Sequence, residues 1–566
     1  MDYKREYERW VENVTPQQKR ELLSLSEQEK KERFYTELEF GTAGMRGILR
    51  LGSNGMNEYT VGRATLGLAG YVCACKKQRE GVAISYDSRH RSREFACLAA
   101  RILAYHGVHS YLCSELRPVP LLSFAVRHYH AFAGIMITAS HNPKEYNGYK
   151  VYGQDGAQLS LEPAADMLSR IEKESYFGIK SMDFDTAVSR GLIQLVGEDL
   201  DDAYFEAVLP LIDKKTIAAC RDIKIVYTPI HGSGCKPVCR AFKELGLTGV
   251  QLLEAQAQPD GDFSTVKSPN PENIEALSMA IDYAKKTGAR LVVGTDPDCD
   301  RVGVAVRDKN GDYVPLTGNQ LGCVLLDGLL RAKKEAGTLP KNGVFIKTIV
   351  TSELARAVAQ SYGVETVEVL TGFKFIGEKI KEYEQTGEHT YLFGFEESYG
   401  YLVGTHARDK DGVVTCMLLA QTACGLAAQG KTLLDGLEDI YARLGYWKEK
   451  TISFTLSGME GIARIKDTMT RLCSERIESF GSRRVKAVRN YNTGVRTDLC
   501  NNSESLLDLP KSNVLYYELE GGWACVRPSG TEPKLKVYLA VKGQNAAEAQ
   551  RALEELEKSV RAVVGL

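Results

Sequence analysis

A pattern of short apolar runs separated by longer helix-like segments begins three times along the chain. The blocks start with GVAISYD at 81–87, IKIVYTPIHG near 223 and GVFIKTIVT at 343–351. Each block reads β-α-β-α-β, and the second includes an expected helix over 272–287. Because β-branched runs of about four to eight residues between helices are typical of parallel sheets, the sequence predicts three α/β domains of related build.

The last part of the chain has a different character. After Gly445, five runs of alternating residues indicate an antiparallel sheet, and AAEAQRALEELEKSVRAVV predicts a closing helix. We therefore expect three related mixed α/β/α sandwich domains followed by a smaller α+β domain. The expected domain limits are 1–210, 211–325, 326–445 and 446–566.

The charge balance restricts the partners that the chain can bind. With 72 Lys and Arg against 73 Asp and Glu, the net charge is -1, so no overall basic field exists to hold nucleic acid or an anionic membrane. No stretch approaches the roughly 20 apolar residues of a membrane span, and the charged start MDYKREYERWVENV lacks a signal core. We expect a cytoplasmic protein, a monomer or homodimer, that binds a small molecule.

The cysteines indicate neither a disulfide scaffold nor a zinc site. The chain has 14 of them, too sparse for a scaffold at this length, and no two form a CxxC pair. The closest spacings are Cys73 to Cys75 and Cys235 to Cys239. We expect buried thiols in a reducing cytosol.

Three acidic residues alternate in the segment LVVGTDPDCDR. Asp296, Asp298 and Asp300 follow an apolar strand, and alternate residues of an extended segment point to one side. Converging carboxylates repel one another unless a cation lies between them, and hard oxygen ligands suit Mg²⁺. A calcium loop does not fit, because Arg301 stands where that loop requires glycine. The alternative is a polar turn with solvated acids, and we favour a metal site.

The segment TASHNPK, at 138–144, follows the apolar run AFAGIMI. It delivers a hydroxyl, an imidazole and an amide into a turn that Pro143 restricts. Ser140 is a candidate nucleophile, although a serine hydroxyl is weak without activation. Neighbouring strand residues point in opposite directions, so His141 is not required to reach Ser140. An ST-turn before a proline-containing loop is the structural alternative.

The segment RPSGTEPK, at 527–534, has the composition of an anion-binding turn. Arg527 offers a planar fork to a phosphate, and Ser529 and Thr531 add hydroxyl groups. Gly530 allows backbone N–H groups to approach an anion. We favour phosphate binding at a turn that also joins two strands.

Further charged residues lie near the ends of other expected strands. FEESYG at 395–400 presents two carboxylates and a hydroxyl, which suit hydrogen bonding to vicinal sugar hydroxyls. TGFK places Lys374 in a loop, and FGTAGMRG places Arg46 in a glycine-rich loop. Together with Lys150 and Arg301, they supply the local positive charge that the neutral total lacks.

Two phosphate-binding patterns are better explained as structural turns. Gly425 to Thr432 satisfies the P-loop pattern, but a P-loop follows a strand, whereas this segment follows a helix-like Ala/Leu run. Gly430 is expected at a helix C-terminus, with the next helix beginning near Thr432. HGSG at 231–234 lacks the third glycine of a dinucleotide fingerprint, so we expect a strand-to-helix turn.

In this order, TASHNPK, TDPDCDR, the GFEES loop and RPSGTEPK resemble the four signature loops of the α-D-phosphohexomutase superfamily. The resemblance spans nearly the whole chain. FGTAGMRG, TGFK and RPSGTEPKLK are similar to the long-form phosphoglucomutase/phosphopentomutase branch rather than to the shorter bacterial phosphomannomutases. Phe373 stands where the shorter enzymes carry a histidine, which leaves the identity of the general base open.

The resemblance implies a role for each matching residue. Ser140 carries the transferable phosphate, and Asp296, Asp298 and Asp300 bind Mg²⁺ together with a phosphate oxygen on Ser140. The other implied roles are the arginine beside the metal (Arg301), acid/base or electrostatic helpers (Arg46, His141, Lys150), sugar contacts (Glu396, Ser398), a basic residue near the substrate (Lys374) and the loop for the non-reacting phosphate (Arg527, Ser529, Gly530, Thr531).

The implied activity is the reversible conversion of α-D-glucose 1-phosphate to glucose 6-phosphate, with glucose 1,6-bisphosphate as intermediate and activator. Ribose or deoxyribose 1-phosphate is the next candidate substrate, and mannose 1-phosphate is the third. Two other classes remain open. Asp298 to Val302 fits the DxDx[TV] pattern of haloacid-dehalogenase-type phosphotransferases, and a non-catalytic sugar-phosphate sensor would share the fold.

Overall fold

The computed structural model describes residues 2–41, 44–456, 458–529 and 534–565. The chain divides into two compact units. The first contains residues 1–321, 342–344 and 373–433, and the second contains 322–341, 345–372 and 434–566. Among the helices that the structure describes, none combines the length and apolarity needed to cross a membrane.

Three helices that the sequence analysis did not identify begin the chain: α1 (Tyr3–Asn13), α2 (Pro16–Leu23) and α3 (Glu27–Phe34). Capping boxes at Thr15 and Ser26 fix the starts of α2 and α3. Trp10 and Phe34 are fully buried and pack edge to face, with ring centroids 5.8 Å apart. These rings form the centre of a small apolar cluster of their own.

The next segment forms a six-stranded sheet with helices. Its elements are β1 (Gly44–Ile48), α4 (Glu58–Ala74), β2 (Val82–Tyr86), α5 (Ser92–Tyr105), β3 (Ser110–Cys113), α6 (Val119–His128), β4 (Ala133–Ile137), β5 (Tyr146–Gly153), α7 (Leu161–Ile171), α8 (Phe184–Ser189), β6 (Ile193–Val196) and α9 (Glu198–Val208). The strand order is β1-β5-β4-β2-β3-β6. Strands β4, β2, β3 and β6 are parallel, whereas β5 is antiparallel to both β4 and β1.

A five-stranded sheet follows in the same unit. Its elements are α10 (Lys214–Ala218), β7 (Ile225–Thr228), α11 (Cys235–Glu244), β8 (Val250–Leu252), α12 (Ser278–Thr287), β9 (Leu291–Thr295), β10 (Val302–Arg307) and β11 (Tyr313–Leu316). The order is β11-β10-β9-β7-β8, and β10 is antiparallel to its neighbours. The helix expected over 272–287 begins only at Ser278, because a 3-10 turn occupies Ile274–Leu277.

The third segment again alternates strands and helices: α13 (Gly318–Glu335), β12 (Gly343–Thr348), α14 (Glu353–Ser361), β13 (Glu365–Val369), α15 (Phe373–Thr386), β14 (Thr390–Glu396), β15 (Gly400–Val403), α16 (Gly412–Ala427) and α17 (Leu433–Leu444). Strands β14 and β15 form an antiparallel hairpin. Gly425 lies inside α16, and Gly430, with φ of 73°, follows its end. The apparent P-loop is therefore the end of a helix, as predicted.

The last segment contains an eight-stranded sheet in which every pair is antiparallel. Its elements are β16 (Tyr446–Thr455), α18 (Gly458–Ser474), β17 (Ser479–Phe480), β18 (Arg483–Asn490), β19 (Val495–Asp498), β20 (Ser503–Leu506), β21 (Leu515–Leu519), β22 (Gly522–Pro528), β23 (Lys534–Gly543) and α19 (Ala546–Val564). The order is β16-β23-β22-β21-β18-β19-β20, with β17 beside β18. The antiparallel sheet and the closing helix are as predicted.

The pattern typical of parallel sheets did not indicate that β5 and β10 are antiparallel to the strands before them. Eight residues join β4 to β5, and six join β9 to β10. A parallel crossover needs about a dozen residues or more, so both short connections return antiparallel. The two most informative sequence patterns, TASHNPK and TDPDCDR, therefore lie in hairpin loops.

All 14 cysteines are free thiols. The expectation of buried thiols was wrong for several of them. Cys75, Cys473 and Cys500 are exposed, and several others are only partly covered.

An ion-pair network surrounds Glu368 in the second unit. Its carboxylate oxygens lie 3.2 Å from Lys347 Nζ and 3.2 Å from Arg489 Nη1, and it also pairs with Arg356. Lys347 is fully buried, and its Nζ also lies 2.9 Å from Glu353 Oε1. Burial opposes ionisation, but the charges of Lys347, Arg356 and Arg489 outweigh it and lower the pKa of Glu368 to about 2.

We expect Glu368→Gln to lower the free energy of unfolding by about 2–3 kcal/mol at neutral pH, since three cations lose their counter-charge. The pKa of Glu368 is about 2 in the folded protein, against an ordinary value of 4.5. Its contribution is therefore fully present above about pH 5 and is lost as the pH falls toward 2. Urea unfolding at several pH values measures this, with exposed Glu365→Gln as control. If the loss of unfolding free energy in Glu368→Gln stayed the same as the pH fell, the lowered pKa of Glu368 would be contradicted.

Candidate active site

Ser140 lies in the loop between β4 and β5, which we call the serine loop (residues 138–145). Its φ of 51° falls in the left-handed region, which is uncommon for a residue other than glycine. The Ser140 N–H donates to Thr138 Oγ1 at 2.8 Å, and the Thr138 hydroxyl donates to Asp87 Oδ2 at 2.6 Å. Since Asp87 is buried directly after β2, the first sheet fixes this conformation.

The three acids lie between β9 and β10, in what we call the acid loop (residues 296–301). The expected alternation along an extended segment is not observed. The loop turns at Cys299, with φ of 49°, and Asp296 Oδ1 accepts from the N–H groups of Asp300 at 3.1 Å and Arg301 at 3.0 Å. The turn nevertheless brings the carboxylates together, with one oxygen of each acid within 4.8 Å of the others.

The acid loop has the chemistry of a cation site. Asp298 Oδ1 and Asp300 Oδ1 are buried, and neither accepts a hydrogen bond from any residue that the structure describes. Unpartnered buried carboxylate oxygens are costly, and hard oxygen donors at this spacing suit a divalent cation such as Mg²⁺. The Ser140 hydroxyl donates to Asp296 Oδ2 at 2.7 Å. The serine hydroxyl thus lies directly beside the candidate cation site.

Two lysines balance part of the negative charge. Lys150, on β5, has its Nζ 2.9 Å from Asp298 Oδ2, and Lys410 Nζ lies 3.0 Å from Asp300 Oδ2. Burial alone would lower the pKa of Lys410, but the charges of Asp300 and Asp409 outweigh it and raise the pKa. Lys410 is therefore protonated in this arrangement.

The acids themselves differ in their affinity for a proton. Burial, followed by the charges of Asp298 and Asp300, raises the pKa of Asp296 well above its ordinary value. For Asp298, burial acts in the same direction, but Lys150 outweighs it and the pKa is lowered. Without a cation, Asp296 is therefore the acid of this pair that more readily takes up a proton. A cation among the three carboxylates would oppose that protonation.

His141 reaches the serine hydroxyl, although the sequence did not require it. Its Nδ1 lies 3.2 Å from Ser140 Oγ. Burial, followed by the positive charge of Arg301, lowers the pKa of His141 well below its ordinary value of 6.5. At neutral pH the imidazole is therefore uncharged and able to accept a proton at this position.

Glu396 and Ser398 lie at the tip of the β14–β15 hairpin, next to the acid loop. Tyr399 O accepts a hydrogen bond from the Val302 N–H at 3.1 Å, which joins the hairpin to the end of the acid loop. Burial alone would lower the pKa of Arg301, but four carboxylates outweigh it and raise the pKa: Glu272, Asp300, Asp296 and Glu396. The candidate sugar-binding hairpin and the candidate cation site are thus neighbours.

The two basic residues that we expected in loops lie in regular elements. Arg46 belongs to β1, which pairs with β5, and its Nη1 donates to Asn142 Oδ1 in the serine loop at 2.9 Å. Lys374 lies in the first turn of α15, because the helix begins directly after Gly372, which has φ of 122°. Its Nζ lies 5.1 Å from the centroid of the Phe375 ring.

The candidate phosphate-binding turn belongs to the second unit. Arg527 lies near the end of β22, opposite Lys536 of β23. The Ser529 N–H donates to Lys534 O at 2.7 Å, so the described ends of the segment lie close together where β22 ends and β23 begins. Gly530 and Thr531 lie outside the described residues.

Two basic residues of the site were missed from the sequence. Lys410 belongs to the run Arg408–Asp411, RDKD, in which all four side chains are buried. Four consecutive charged residues beyond a strand were a usable signal, because such residues are rarely buried without a specific partner. Arg89, in SYDSRHRS, is also buried and contacts the serine loop, but no local pattern distinguishes it from an exposed arginine.

The fold and the site together define a class of protein: an α/β enzyme in which a buried serine hydroxyl lies beside a cluster of three buried carboxylates that could hold a metal ion. Family models match the chain at residues 37–177, 202–311, 317–444 and 483–558. They describe the α/β/α domains I, II and III and the C-terminal domain of phosphoglucomutase/phosphomannomutase. The chain belongs to this phosphoglucomutase/phosphomannomutase family.

Curated relatives agree with the family models along the chain. A phosphoglucomutase of Staphylococcus epidermidis (strain ATCC 35984) is 40% identical over 517 residues, covering 91% of this chain and 92% of the relative. A phosphoglucomutase of Staphylococcus aureus (strain MRSA252) is 39% identical over 520 residues, with the same coverage of 91% and 92%.

Solved structures show the same fold. A phosphoglucomutase/phosphomannomutase family protein from Burkholderia thailandensis has a TM-score of 0.64 at 18% identity, covering 93% of this chain and 97% of its own. The Paramecium phosphoprotein parafusin, a phosphoglucomutase in its open form, has a TM-score of 0.69 at 17% identity, covering 94% and 95%. The predicted superfamily and the predicted fold class, three α/β/α domains and a distinct C-terminal domain, are confirmed.

Proposed function

We propose that the chain is a phosphoglucomutase that interconverts α-D-glucose 1-phosphate and glucose 6-phosphate through a phosphoserine at Ser140. The observation that carries the proposal is the 2.7 Å hydrogen bond from the Ser140 hydroxyl to Asp296. It joins a candidate phosphate carrier to a cluster in which two buried carboxylate oxygens accept no hydrogen bond from the described part of the chain. The staphylococcal relatives named phosphoglucomutase, at 39–40% identity, support glucose as the sugar.

In the first half-reaction, the bond between phosphorus and Ser140 Oγ breaks, and phosphorus bonds to the free hydroxyl oxygen of the sugar phosphate. That hydroxyl passes its proton to the uncharged His141, whose Nδ1 lies 3.2 Å from Ser140 Oγ, and His141 then gives the proton to Ser140 Oγ as the phosphorus–oxygen bond breaks. Mg²⁺ bound by Asp296, Asp298 and Asp300 would supply Lewis acidity toward the phosphoryl oxygens.

In the second half-reaction, the other phosphate of glucose 1,6-bisphosphate passes to Ser140, which restores the phosphoserine and releases the product. Lys150, Lys410 and Arg301 balance the charge around the reacting serine. We assign the remaining residues by their chemistry and their match to the family: Arg46 beside the serine loop, Glu396 and Ser398 to sugar hydroxyls, Lys374 to the substrate, and Arg527, Ser529, Gly530 and Thr531 to the non-reacting phosphate.

The proposal includes two small-molecule requirements and a location. The acid loop suits Mg²⁺, and glucose 1,6-bisphosphate would phosphorylate Ser140 in any enzyme that lacks its phosphate. The 14 free thiols support a reducing cytoplasm, and we retain a monomer or homodimer as the expected assembly.

The test is a side-by-side kinetic comparison of glucose, ribose and mannose 1-phosphates with Mg²⁺ and glucose 1,6-bisphosphate. We expect the highest kcat/KM for glucose 1-phosphate, and a preference for either other sugar would overturn the substrate assignment. Treating the phosphorylated enzyme with hydroxylamine tests the alternative chemistry, because an acyl phosphate on Asp298 would be cleaved and a phosphoserine would survive. Binding of a sugar 1-phosphate without its conversion would indicate a non-catalytic sugar-phosphate sensor.

Removing the positive charge of Lys410 should impair turnover more than binding. We expect Lys410→Met to lower kcat about 100-fold, because Asp300 and Asp409 then lose a cation 3.0 Å and 2.9 Å away. The KM for glucose 1-phosphate should change less than kcat. Lys379→Met, which removes a surface lysine on α15, is the control. A kcat within about threefold of the parent would contradict this role.

A further inference from the structure

Arg89 binds the backbone of the serine loop. Its side chain is fully buried between β2 and that loop. The guanidinium donates to Ser140 O at 2.5 Å, to Pro143 O at 2.9 Å and to Tyr146 O at 3.1 Å, and it also donates to Asn142 O. One planar guanidinium therefore binds four carbonyl groups around the candidate phosphate carrier. A lysine ammonium has only three donors and could not replace all four hydrogen bonds.

A loop from the second sheet covers this guanidinium. We call residues 258–265, QPDGDFST, the cover loop. Phe263, near its tip, is only 1% exposed although the loop is otherwise largely polar, and its φ is 46°. The Phe263 ring centroid lies 5.0 Å from Arg89 Cζ, so the ring excludes water from the face of the guanidinium. A buried aromatic ring in a strained backbone conformation indicates that the fold enforces this contact.

The tip of the cover loop is also tied to the surface of the serine loop. Asp262 lies 3.1 Å from Lys144 Nζ and 3.3 Å from His90 Nε2. Gly261 packs against His90 so closely that a Cβ there would meet its backbone nitrogen at 2.9 Å. These contacts are exposed and contribute little to stability, but they fix where the tip sits.

The HGSG turn, residues 231–234, holds the base of the cover loop. His231 Nδ1 lies 3.0 Å from Gln258 O, and His231 Nε2 lies 2.9 Å from Thr265 Oγ1. Two residues on, the N–H and the hydroxyl of Ser233 both donate to Pro297 O of the acid loop, each at 2.8 Å. The same turn therefore binds the cover loop and the acid loop.

We propose that the cover loop and Arg89 form a positioning bridge that sets the serine loop in register with the acid loop. The bridge runs from Pro297 through the HGSG turn and Phe263 to Arg89 and the Ser140 carbonyl. Phe263 and Arg89 are positioning residues, because neither reaches the reacting atoms. This inference rests on the proposed function. It explains how two loops of different sheets keep a hydroxyl-to-carboxylate distance of 2.7 Å.

Hydrogen exchange tests the bridge without reference to activity. We expect Phe263→Leu to accelerate amide exchange in a peptide covering residues 138–146 at least tenfold, on the order of what loss of a local closing contact gives. Exchange in β4 itself should not change. Phe205→Leu is a matched control, because the Phe205 ring covers the guanidinium of Arg240 at 4.4 Å, away from the serine loop. Equal exchange in the parent and in Phe263→Leu would overturn the bridge.

Kinetics give the second readout. We expect kcat to fall about tenfold in Phe263→Leu and about 100-fold in Arg89→Lys, with the KM for glucose 1-phosphate unchanged, since misplacement by about 1 Å costs that much. If Phe263 only stabilised the fold, Phe263→Leu would lower the active fraction and the melting temperature, as we expect for Phe205→Leu. Amide exchange in the serine loop and kcat per active site would then stay unchanged.

If Phe263→Leu fails to fold, Asp262→Asn replaces it, because the exposed Asp262 contributes little to stability. It should accelerate exchange of the same peptide about threefold, and no acceleration would overturn the bridge. A parent protein that fails to interconvert the sugar phosphates refutes the proposed function, while the exchange result still decides the bridge.

Discussion

Replacing Ser140 by alanine should lower turnover of glucose 1-phosphate by at least about three orders of magnitude. The variant has no oxygen to carry phosphate, so the covalent route is lost and only direct transfer remains. The fold should survive, because within the described residues the hydroxyl hydrogen bonds to Asp296 and His141 alone. Steady-state kinetics with Mg²⁺ and glucose 1,6-bisphosphate measure the effect.

The same variant should fail to retain label from radioactive glucose 1,6-bisphosphate, whereas the parent becomes labelled. Ser189→Ala, which removes an exposed hydroxyl at the end of α8, is the matched control and should behave as the parent. Turnover by Ser140→Ala within about tenfold of the parent would refute the serine assignment. Label on Ser140→Ala would place the phosphate on another residue.

Replacing Asp298 by asparagine should have the second-largest effect. It removes a negative charge from the acid loop and leaves Lys150 without the carboxylate oxygen that lies 2.9 Å from its Nζ. We expect Mg²⁺ affinity to fall by about 100-fold or more and turnover at saturating Mg²⁺ by about 100-fold, since hard anionic oxygens dominate Mg²⁺ binding. Electron paramagnetic resonance of Mn²⁺ measures the affinity of the site for a divalent cation independently of enzyme activity.

Asp282→Asn, an exposed acid on α12, is the control for this experiment. If Asp298→Asn bound Mn²⁺ as tightly as the parent, the acid loop would not be the cation site. If binding weakened but turnover did not, the cation would have no part in the reaction.

The element pattern and the candidate loops could be predicted because they depend on local sequence. The alternation of strands and helices, the antiparallel last sheet and the helix end at Gly430 follow from periodicity and from residues with restricted backbone conformations. The antiparallel strands β5 and β10 were missed because their direction is set by the length of the preceding loop and by the partner strand. Arg46 and Lys374 were expected in loops because the sequence around them is rich in glycine. In the structure, Arg46 lies in a strand that pairs with β5, and Lys374 lies in the first turn of α15.

The three carboxylates of the acid loop converge as expected, but in a different backbone conformation from the one expected. Alternation in an extended segment was the reason given for convergence of Asp296, Asp298 and Asp300, but the chain turns at Cys299 instead. Local spacing alone does not distinguish these two conformations. The turn is held by hydrogen bonds to Asp296 and by the HGSG segment, more than 60 residues earlier in the chain.

Contiguous segments were enough to predict the family, the order of the four loops and the types of residue that carry the chemistry. The folded chain was needed to find that Ser140 contacts Asp296, 156 residues away, that Lys410 and Arg89 belong to the site, and that burial lowers the pKa of His141. Hydrogen bonding and pKa depend on distance and burial in space, and separation along the chain fixes neither.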